Sequence, residues 1–190
     1  ILNAKNIRII NLGPAVNYPG LDYAPTVSAD GKTLYYVSNR PGSKLSDGDL
    51  SHDFWAVKKV NRYDTTFSKP YNIDTSTALG DLSVNTSRNE GVASISADQQ
   101  TIVFTGCKRP DGIGDCDLYI AEIEGDKWCR PRNLGRNVNT EVWDSQPSIS
   151  PDKSRIYFAS NRPGSVGGGD DIDIWYTDYD FEFEEWKPAV

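Results

Sequence analysis

Acidic side chains cluster in three stretches, residues 47–53, 111–117 and 170–173, which could bind a metal ion. Carboxylates spaced like Asp171 and Asp173 could supply oxygen ligands to Ca²⁺. The ligand spacing of an EF-hand is absent, however, and an aspartate ends each stretch, where it could instead bond loop amides and fix a hairpin. We therefore predict no cofactor, with Ca²⁺ as the alternative, and a structural role for these aspartates. They are Asp53, Asp117 and Asp173.

The single histidine, His52, lies beside Asp53 and could act as a general base. A solvated loop histidine is the simpler explanation. No Gly-x-Ser-x-Gly motif is present to hold a nucleophilic serine, and no pair of carboxylates stands out for glycosidase chemistry. We therefore predict that the chain is not an enzyme.

Three of the four Arg-Pro pairs, which begin at Arg40, Arg109 and Arg162, recur at the same position of a repeated segment. Their guanidinium groups could lie on one rim of the fold and bind carboxylates or phosphates through paired hydrogen bonds. The structural alternative is that each arginine packs against a neighbouring repeat and pairs with an aspartate there. Trp143 is a further candidate for an exposed contact. These four residues are our candidates for an interaction site.

Two of the three cysteines, Cys107 and Cys116, flank a short loop. If the flanking runs pair as antiparallel strands, the two thiols lie close together. A disulfide there would stabilise the fold by about 2–3 kcal/mol and would imply an oxidising compartment. The alternative is a pair of reduced thiols in the cytosol. Cys129 has no evident partner, and we expect it to be buried and inert.

The composition is that of a globular, acidic protein. The 190 residues include 20 Lys and Arg against 27 Asp and Glu, which gives a net charge of −7. This balance argues against nucleic acid as the main partner. No apolar run is long enough for a membrane-spanning helix. The chain begins at Ile1 and not at Met, so no signal peptide can be identified.

A repeat organises the chain. Segments 22–42, 90–111 and 144–164 align with one another, with 68 residues from Ser28 to Ser96 and 54 from Ser96 to Ser150. The extra length in the first unit falls in loops, as repeat architectures tolerate. Each unit carries an aspartate in a turn just before its second strand, where the carboxylate can bond amides two residues on. These turn aspartates are Asp30, Asp98 and Asp152.

The sequence of each unit predicts four short antiparallel strands, because runs of β-branched and aromatic residues alternate with turn residues. No segment has a sustained helical period, so no long helix is expected. The run 178–185 alternates acids with aromatic residues and predicts a hairpin with one face in the core or, alternatively, an acidic edge for a partner. The predicted second strands are 33–38, 101–105 and 155–160, the third 54–57, 118–121 and 174–177, and the outer 11–13, 69–74 and 133–135.

The third unit carries Asp144, Pro147, Ser-Pro-Asp at 150–152, Asn-Arg-Pro-Gly at 161–164 and Asp-Ile-Trp at 173–175. This pattern resembles the WD40-like repeat of TolB-type β-propellers. It is most similar to the form found in OmpA-family envelope proteins of Bacteroidota-like bacteria. The first unit matches nearly as well, whereas the second departs from the pattern.

The resemblance implies an all-β fold, a β-propeller of four-stranded antiparallel blades. About three blades are expected, near residues 11–71, 72–132 and 133–190. Propellers close with four to eight blades, so we expect these three to be part of a larger closed propeller. Either further blades follow Val190 or another chain completes the ring.

For function, the resemblance implies a non-enzymatic interaction or scaffold module in a bacterial cell-envelope assembly, associated with the outer membrane, peptidoglycan or secretion. The expected location is the periplasm or the outer membrane, and the expected partners are other envelope proteins. The alternative is a glycan hydrolase or lyase, or a peptidase-associated propeller, acting on carbohydrate or peptide. An enzyme should show convergent carboxylates of unequal pKa at a pocket, whereas a scaffold should show a rim with exposed aromatic residues.

Overall fold

The structure is a computed structural model that describes residues 9–46, 48–75, 79–168 and 171–190. Its strands form three main antiparallel sheets, one for each repeat unit. A two-stranded hairpin lies in the loop between the second and third strands of sheet 1. Along the chain, the strands of sheet 1 and the inserted hairpin are β1 (Asp22–Val27), β2 (Thr33–Ser38), β3 (Leu45–Ser46), β4 (Asp49–Leu50), β5 (Asp53–Lys58) and β6 (Tyr71–Asn72).

Sheets 2 and 3 repeat this arrangement. Sheet 2 has two short outer strands that both pair with its third strand. A 3-10 turn at Gly80–Leu82 is the only helix within the described ranges. Sheet 2 contains β7 (Glu90–Ile95), β8 (Thr101–Cys107), β9 (Cys116–Glu124), β10 (Lys127–Trp128) and β11 (Arg132–Asn133). Sheet 3 contains β12 (Asp144–Ile149), β13 (Arg155–Ser160), β14 (Asp173–Asp180) and β15 (Glu185–Trp186).

The predicted outer strand at 11–13 is wrong. The segment forms no strand, and the Asn11 side chain folds back so that its Oδ1 accepts the Gly13 amide at 2.7 Å. In sheet 2 the outer strand ends at Asn133, whose Oδ1 accepts the Gly135 amide in the same way at 2.8 Å. The Asn-Leu-Gly motif is therefore a turn that follows an outer strand.

The turn before each second strand is built around its aspartate. Asp30 Oδ1 accepts the Ser28 hydroxyl at 2.6 Å and the Lys32 amide at 2.9 Å, while Ser28 Oγ accepts the Thr33 amide. The same bonds recur at Asp98 and Asp152. The bond from Lys153, together with these turn bonds, lowers the pKa of Asp98 to about 2, and the turn bonds lower the pKa of Asp152 to about 2. The structure therefore places the turn aspartates in one repeated, locally closed motif.

The turns of the three sheets lie along one rim of the molecule, which we call the turn rim. The Gln99 side chain bonds Asp30 of sheet 1, and Lys153 Nζ lies 2.5 Å from Asp98 Oδ2 of sheet 2. Each contact joins a turn to the equivalent turn of the preceding sheet. The sheets are therefore stacked in the same orientation, as in a repeat architecture.

Each sheet has two apolar faces. We call the face that packs on the preceding sheet the leading face, and the other the trailing face. Between sheets 1 and 2, Val37 and Phe54 of the trailing face share one core cluster with Phe104 and Tyr119 of the leading face. Phe54 and Phe104 meet edge to face at 5.6 Å between ring centroids.

Sheets 2 and 3 pack in the same way. Leu118 and Ile120 on the trailing face of sheet 2 form a second core cluster with Ile156 and Phe158 on the leading face of sheet 3. Burying side chains of this kind contributes about 1.5–3 kcal/mol each. The stacking of neighbouring sheets therefore contributes several kcal/mol to the stability of the fold.

Candidate functional site

The three candidate arginines are buried and do not line an exposed rim. Arg40 donates from Nη2 to Asp22 Oδ1 at 2.6 Å and from Nε to Ser38 Oγ at 2.9 Å. Nη2 also donates to the carbonyl of Val16, in the segment that leads into β1. Its hydrogen-bonding groups are thus directed into the protein.

Arg162 repeats these contacts in sheet 3. It donates to Asp144 Oδ1 at 2.6 Å, to Ser160 Oγ at 3.0 Å and to the carbonyl of Val138 at 2.6 Å. The carboxylate partner is on the first strand of the same sheet, and not on a neighbouring repeat as the sequence suggested. We call each of these clusters an arginine lock, because the arginine ties the incoming crossover to the first strand.

The arginine lock of sheet 2 has a different composition. Arg109 lies 3.6 Å from Glu90 Oε1 and donates to the carbonyl of Ser83 at 2.8 Å, with its guanidinium over the Tyr119 ring. Its buried Nε has no hydrogen-bond partner among the described residues, since Gly106 stands where the other sheets have serine. Complete burial raises the pKa of Glu90 to about 8, although hydrogen bonds from Thr86 and the charge of Arg109 oppose this rise.

The aspartates before the third strands hold loop atoms. Asp53 accepts the Ser51 hydroxyl at 2.6 Å, the Lys44 amide at 3.0 Å and the Asn72 side-chain amide at 2.8 Å. Burial raises its pKa, and these hydrogen bonds oppose the rise. The carboxylate oxygens are thus engaged by the loop that the aspartate closes.

Asp117 and Asp173 occupy the same position in the other two sheets. Asp117 accepts the amides of Ile113 and Gly114 at 2.5 and 3.2 Å, and burial raises its pKa against the effect of these bonds. Asp173 Oδ2 accepts the Val166 amide at 2.5 Å. Asp47 and Asp170 of the acidic stretches lie outside the described residues. Within the described ranges, no group of three or more His, Cys, Asp or Glu residues is arranged to hold a metal ion.

The predicted disulfide between Cys107 and Cys116 is confirmed. The two cysteines face each other across β8 and β9, where the strands open into the loop. Cys129, by contrast, is exposed, so the expectation that it is buried was wrong. It directly follows the two-residue strand β10.

Trp143 is half-buried at the entrance to β12. Its backbone exchanges two hydrogen bonds with Asn161, one to the side chain at 3.1 Å and one to the main chain at 3.4 Å. His52 is also half-buried, and its Nδ1 lies 2.9 Å from the hydroxyl of Tyr23 on β1. His52 is therefore tied to the first strand of sheet 1, whereas Trp143 is tied to the residue that follows β13, and both lie on the side opposite the turn rim.

The most exposed aromatic residues lie instead on the turn rim, and two of them lie where β14 turns into β15. Phe181 and Phe183 are 69% and 71% exposed. The alternating run 178–185 suggested that these rings would face the core, but β14 ends at Asp180 and both follow it in the turn. Val60 and Tyr63 are similarly exposed after β5, at the equivalent place in sheet 1.

Phe181 also borders a cleft of about 180 Å³ between sheets 2 and 3, which we call the outer cleft. Tyr179 packs edge to face against both Phe181 and Trp186, with centroids 5.1 and 5.0 Å apart. The rest of the apolar lining is Ile120 and Ile149, and the polar lining is Thr101, Glu122, Arg132 and Lys153. The outer cleft thus has an apolar floor and a polar, charged edge.

Comparison with solved structures gives matches for most of the chain. TolB from Acinetobacter baumannii superimposes with a TM-score of 0.54 at 16% identity, over 89% of this chain and 32% of TolB. U3-55K superimposes with a TM-score of 0.50 at 7% identity, over 93% of this chain and 41% of U3-55K. The chain forms blades of a β-propeller. At these identities the likeness shows the fold alone.

The three sheets are therefore propeller blades, which we call blades 1, 2 and 3. The chain spans about a third of the length of TolB and two fifths of that of U3-55K. The β-propeller domain of the Trilobed protease from Pyrococcus furiosus also matches, with a TM-score of 0.48 at 13% identity, over 90% of this chain and 42% of that one. Neither the protein-family models nor the curated proteins gave a match to the sequence. No helix in the described part of the chain is long and apolar enough to cross a membrane.

Proposed function

We propose that these blades act as a protein-interaction module that binds a partner protein at the outer cleft. The observation that carries the proposal is that exposed Phe181 borders a cleft with an apolar floor, with exposed Phe183 two residues further along the same turn. Exposed aromatic residues beside an apolar pocket with a charged rim have the anatomy of a protein-binding hot spot. The cleft has room for one apolar side chain of the partner.

The charged edge would set which partner binds. Arg132 and Glu122 of blade 2 and Lys153 of blade 3 line the cleft. Glu182, Glu184 and Glu185 adjoin the exposed rings in the sequence. A partner segment with an apolar anchor flanked by both signs of charge would match this edge. Such rim charges affect the rate and selectivity of association more than its affinity.

We further propose that the partner is a protein of the bacterial cell envelope. The support is the disulfide between Cys107 and Cys116, since disulfides persist in oxidising compartments such as the periplasm. The resemblance of the repeat to that of envelope propellers points the same way.

Differential alkylation of the protein in intact cells tests the location. Cys107 and Cys116 should react only after reduction, while exposed Cys129 reacts at once and serves as an internal control.

Affinity capture from native envelope extracts tests the binding site. The double variant Phe181→Ser, Phe183→Ser should retain a specific partner at least about tenfold less than the unmodified chain, because anchor residues carry most of the binding energy. The matched control is Val166→Ser, which removes a comparably exposed apolar side chain from the opposite rim. Equal retention by the double variant, with folding confirmed by circular dichroism, would rule out the outer cleft.

A further inference from the structure

The turn that joins the third and outer strands of blade 1 is basic, although the chain as a whole is acidic. It connects β5 to β6, and residues 58–71 contain four Lys or Arg against a single Asp. The equivalent turn of blade 3, residues 180–185, contains one Asp, three Glu and no cation. The positive charge is therefore a property of this turn and not of the repeat.

The outer part of the turn is folded into a closed bend. The Asn61 amide donates to Asp64 Oδ2 at 3.0 Å, and Asn61 Nδ2 donates to Asp64 Oδ1 at 2.8 Å. Asn61 Oδ1 in turn accepts the Tyr63 amide at 3.0 Å. The single carboxylate of the turn is thus engaged within the bend, while Val60 and Tyr63 are 89% and 80% exposed. We call residues 58–63 the basic tip.

The three cations of the basic tip lie over aromatic rings. None of them forms an ion pair with a carboxylate in the part of the chain that the structure describes. The distances to the ring centroids are 5.5 Å for Lys58 over Tyr71, 4.8 Å for Lys59 over Phe67 and 4.9 Å for Arg62 over Tyr63. A cation held over a ring keeps its charge uncompensated, so all three can still bind an external anion.

The turn before β2 adds a further cation at the base of the tip. The Lys59 amide donates to the carbonyl of Lys32 at 2.8 Å, and the Lys32 side chain is exposed. Asp30 is the acid of this turn, and its Oδ1 accepts the Ser28 hydroxyl and the Lys32 amide. The cations around the tip therefore outnumber the acids, and both acids already accept hydrogen bonds from the protein.

The apolar side chains of the tip project from the protein. Exposure of 80% or more leaves little protein surface beside Val60 or Tyr63, whereas Phe181 borders the outer cleft. A projecting apolar and aromatic tip surrounded by unpaired cations matches the surface of an anionic bilayer. There, Lys and Arg are attracted to the lipid phosphates and tyrosine rings lie at the level of the headgroups.

We propose that the basic tip binds the surface of a bilayer that contains anionic phospholipid. Val60 and the Tyr63 ring enter the headgroup layer, and Lys58, Lys59 and Arg62 contact the lipid phosphates. The acidic turn of blade 3 lies on the same rim and is repelled by the same phosphates, so the contact is confined to blade 1. This site is separate from the outer cleft, which lies between blades 2 and 3.

Co-sedimentation with vesicles tests the proposal. The chain should bind vesicles of phosphatidylcholine with about 30% phosphatidylglycerol at least about tenfold more tightly than vesicles of phosphatidylcholine alone. Because ions screen charges at the surface, raising the salt from about 0.05 to 0.5 M should release the chain. The triple variant Lys58→Gln, Lys59→Gln, Arg62→Gln should weaken binding at least about tenfold, since each cation near a membrane contributes roughly fivefold.

The matched control is the triple variant Arg88→Gln, Lys108→Gln, Arg136→Gln. It removes three exposed cations from other parts of the surface, so both triple variants have the same net charge. The control should bind anionic vesicles within about twofold of the unmodified chain, because the attraction falls off within a Debye length of the membrane. Circular dichroism of both triple variants checks that they are folded.

A fluorescent label tests whether the tip enters the bilayer. In a Cys129→Ser chain kept free of reductant, Tyr63→Cys is labelled with a nitrobenzoxadiazole dye, whose emission rises in an apolar environment. The emission should increase on addition of anionic vesicles. The same label at Val166→Cys, on the opposite rim, should show no increase.

Three results would each overturn the proposal. The first is an unmodified chain that does not bind anionic vesicles at low salt. The second is equal weakening by the two triple variants, and the third is unchanged emission from the label at position 63. Binding to poly-glutamate without binding to vesicles would also overturn it and would assign the basic tip to an acidic protein partner.

Discussion

The arginine locks of blades 1 and 3 differ from that of blade 2 at the same position of the repeat. In blade 1, Asp22 and Ser38 bond the two sides of the Arg40 guanidinium. In blade 2, a glutamate replaces the aspartate and a glycine replaces the serine. The comparison shows that an arginine can hold the crossover even when one of its usual acceptors is missing.

The changes in blade 2 depend on one another. A Cβ atom at Gly106 would lie 2.3 Å from Arg109 Cδ and 3.2 Å from the Tyr119 ring, so the serine of the other blades does not fit. The next residue is Cys107, and its disulfide closes the loop between the second and third strands of blade 2. In blades 1 and 3 the corresponding loop begins with a Pro-Gly turn. A covalent bond thus accompanies the incomplete hydrogen bonding of this lock.

The largest difference should appear when the arginine is removed. Arg162→Met leaves Asp144 buried without its cation, and breaking a buried pair in this way costs about 3–5 kcal/mol. Arg109→Met should cost less, about 1–3 kcal/mol, because the pKa of Glu90 near 8 lets that carboxyl stay protonated at neutral pH. Urea unfolding of the two variants at pH 7 measures both losses. Equal losses would show that the two locks are equivalent.

Loss of the disulfide should have the next largest effect. The double variant Cys107→Ser, Cys116→Ser should lower the free energy of unfolding by about 2–3 kcal/mol, because the unfolded chain regains the freedom of the closed loop. Cys129→Ser is the matched control and should change nothing measurable. Thermal unfolding with and without a reductant checks this. A reductant effect on the double variant would point to a different source of stability.

The stability contributed by the carboxyl groups of the arginine locks in blades 1 and 2 should change with pH in opposite directions. The raised pKa of Glu90, about 8 against an ordinary 4.5, means that its stabilising effect falls as pH rises between these values. Burial tends to raise the pKa of Asp22, but hydrogen bonds from the Tyr18 amide and from Arg40 outweigh burial and lower the pKa. The stability that ionised Asp22 contributes is therefore lost as pH falls below about 3.8.

Unfolding free energies measured from pH 3 to 9 separate these two effects. Glu90→Gln should flatten the decline between pH 4.5 and 8, and Asp22→Asn should flatten the loss at the acid end. An unchanged profile for Glu90→Gln would show that Glu90 is ionised in the folded protein.

The smallest effect should come from restoring the serine. Gly106→Ser offers Arg109 Nε an acceptor worth about 1 kcal/mol, but the added Cβ crowds the arginine at a cost of about 1–3 kcal/mol. We expect a net destabilisation of about 1 kcal/mol, measured by urea unfolding. A stabilised variant would show that the side chains rearrange freely and that the glycine is not required.

The sequence alone predicted the strands well because their cause is local. The runs 33–38 and 155–160 are β-branched or aromatic between turn residues, and they match β2 and β13 residue for residue. The disulfide was also predictable, since strands that flank a short loop bring Cys107 and Cys116 together.

The arginine locks were not predicted, because their carboxylates lie on another strand. A signal was present, however: Asp22 precedes Arg40 by the same 18 residues that separate Asp144 from Arg162. The exposure of Phe181 was missed for another reason. An alternating pattern indicates two faces only while the strand continues, and β14 ends one residue earlier.

Photo-crosslinking provides a direct test of partner binding at the outer cleft. A benzophenone amino acid placed at position 181 in cells should yield a discrete protein adduct, because Phe181 borders the cleft and is exposed. The same amino acid at position 166, on the opposite rim, should not yield that adduct. An adduct formed equally from both positions, or from neither, would contradict the account.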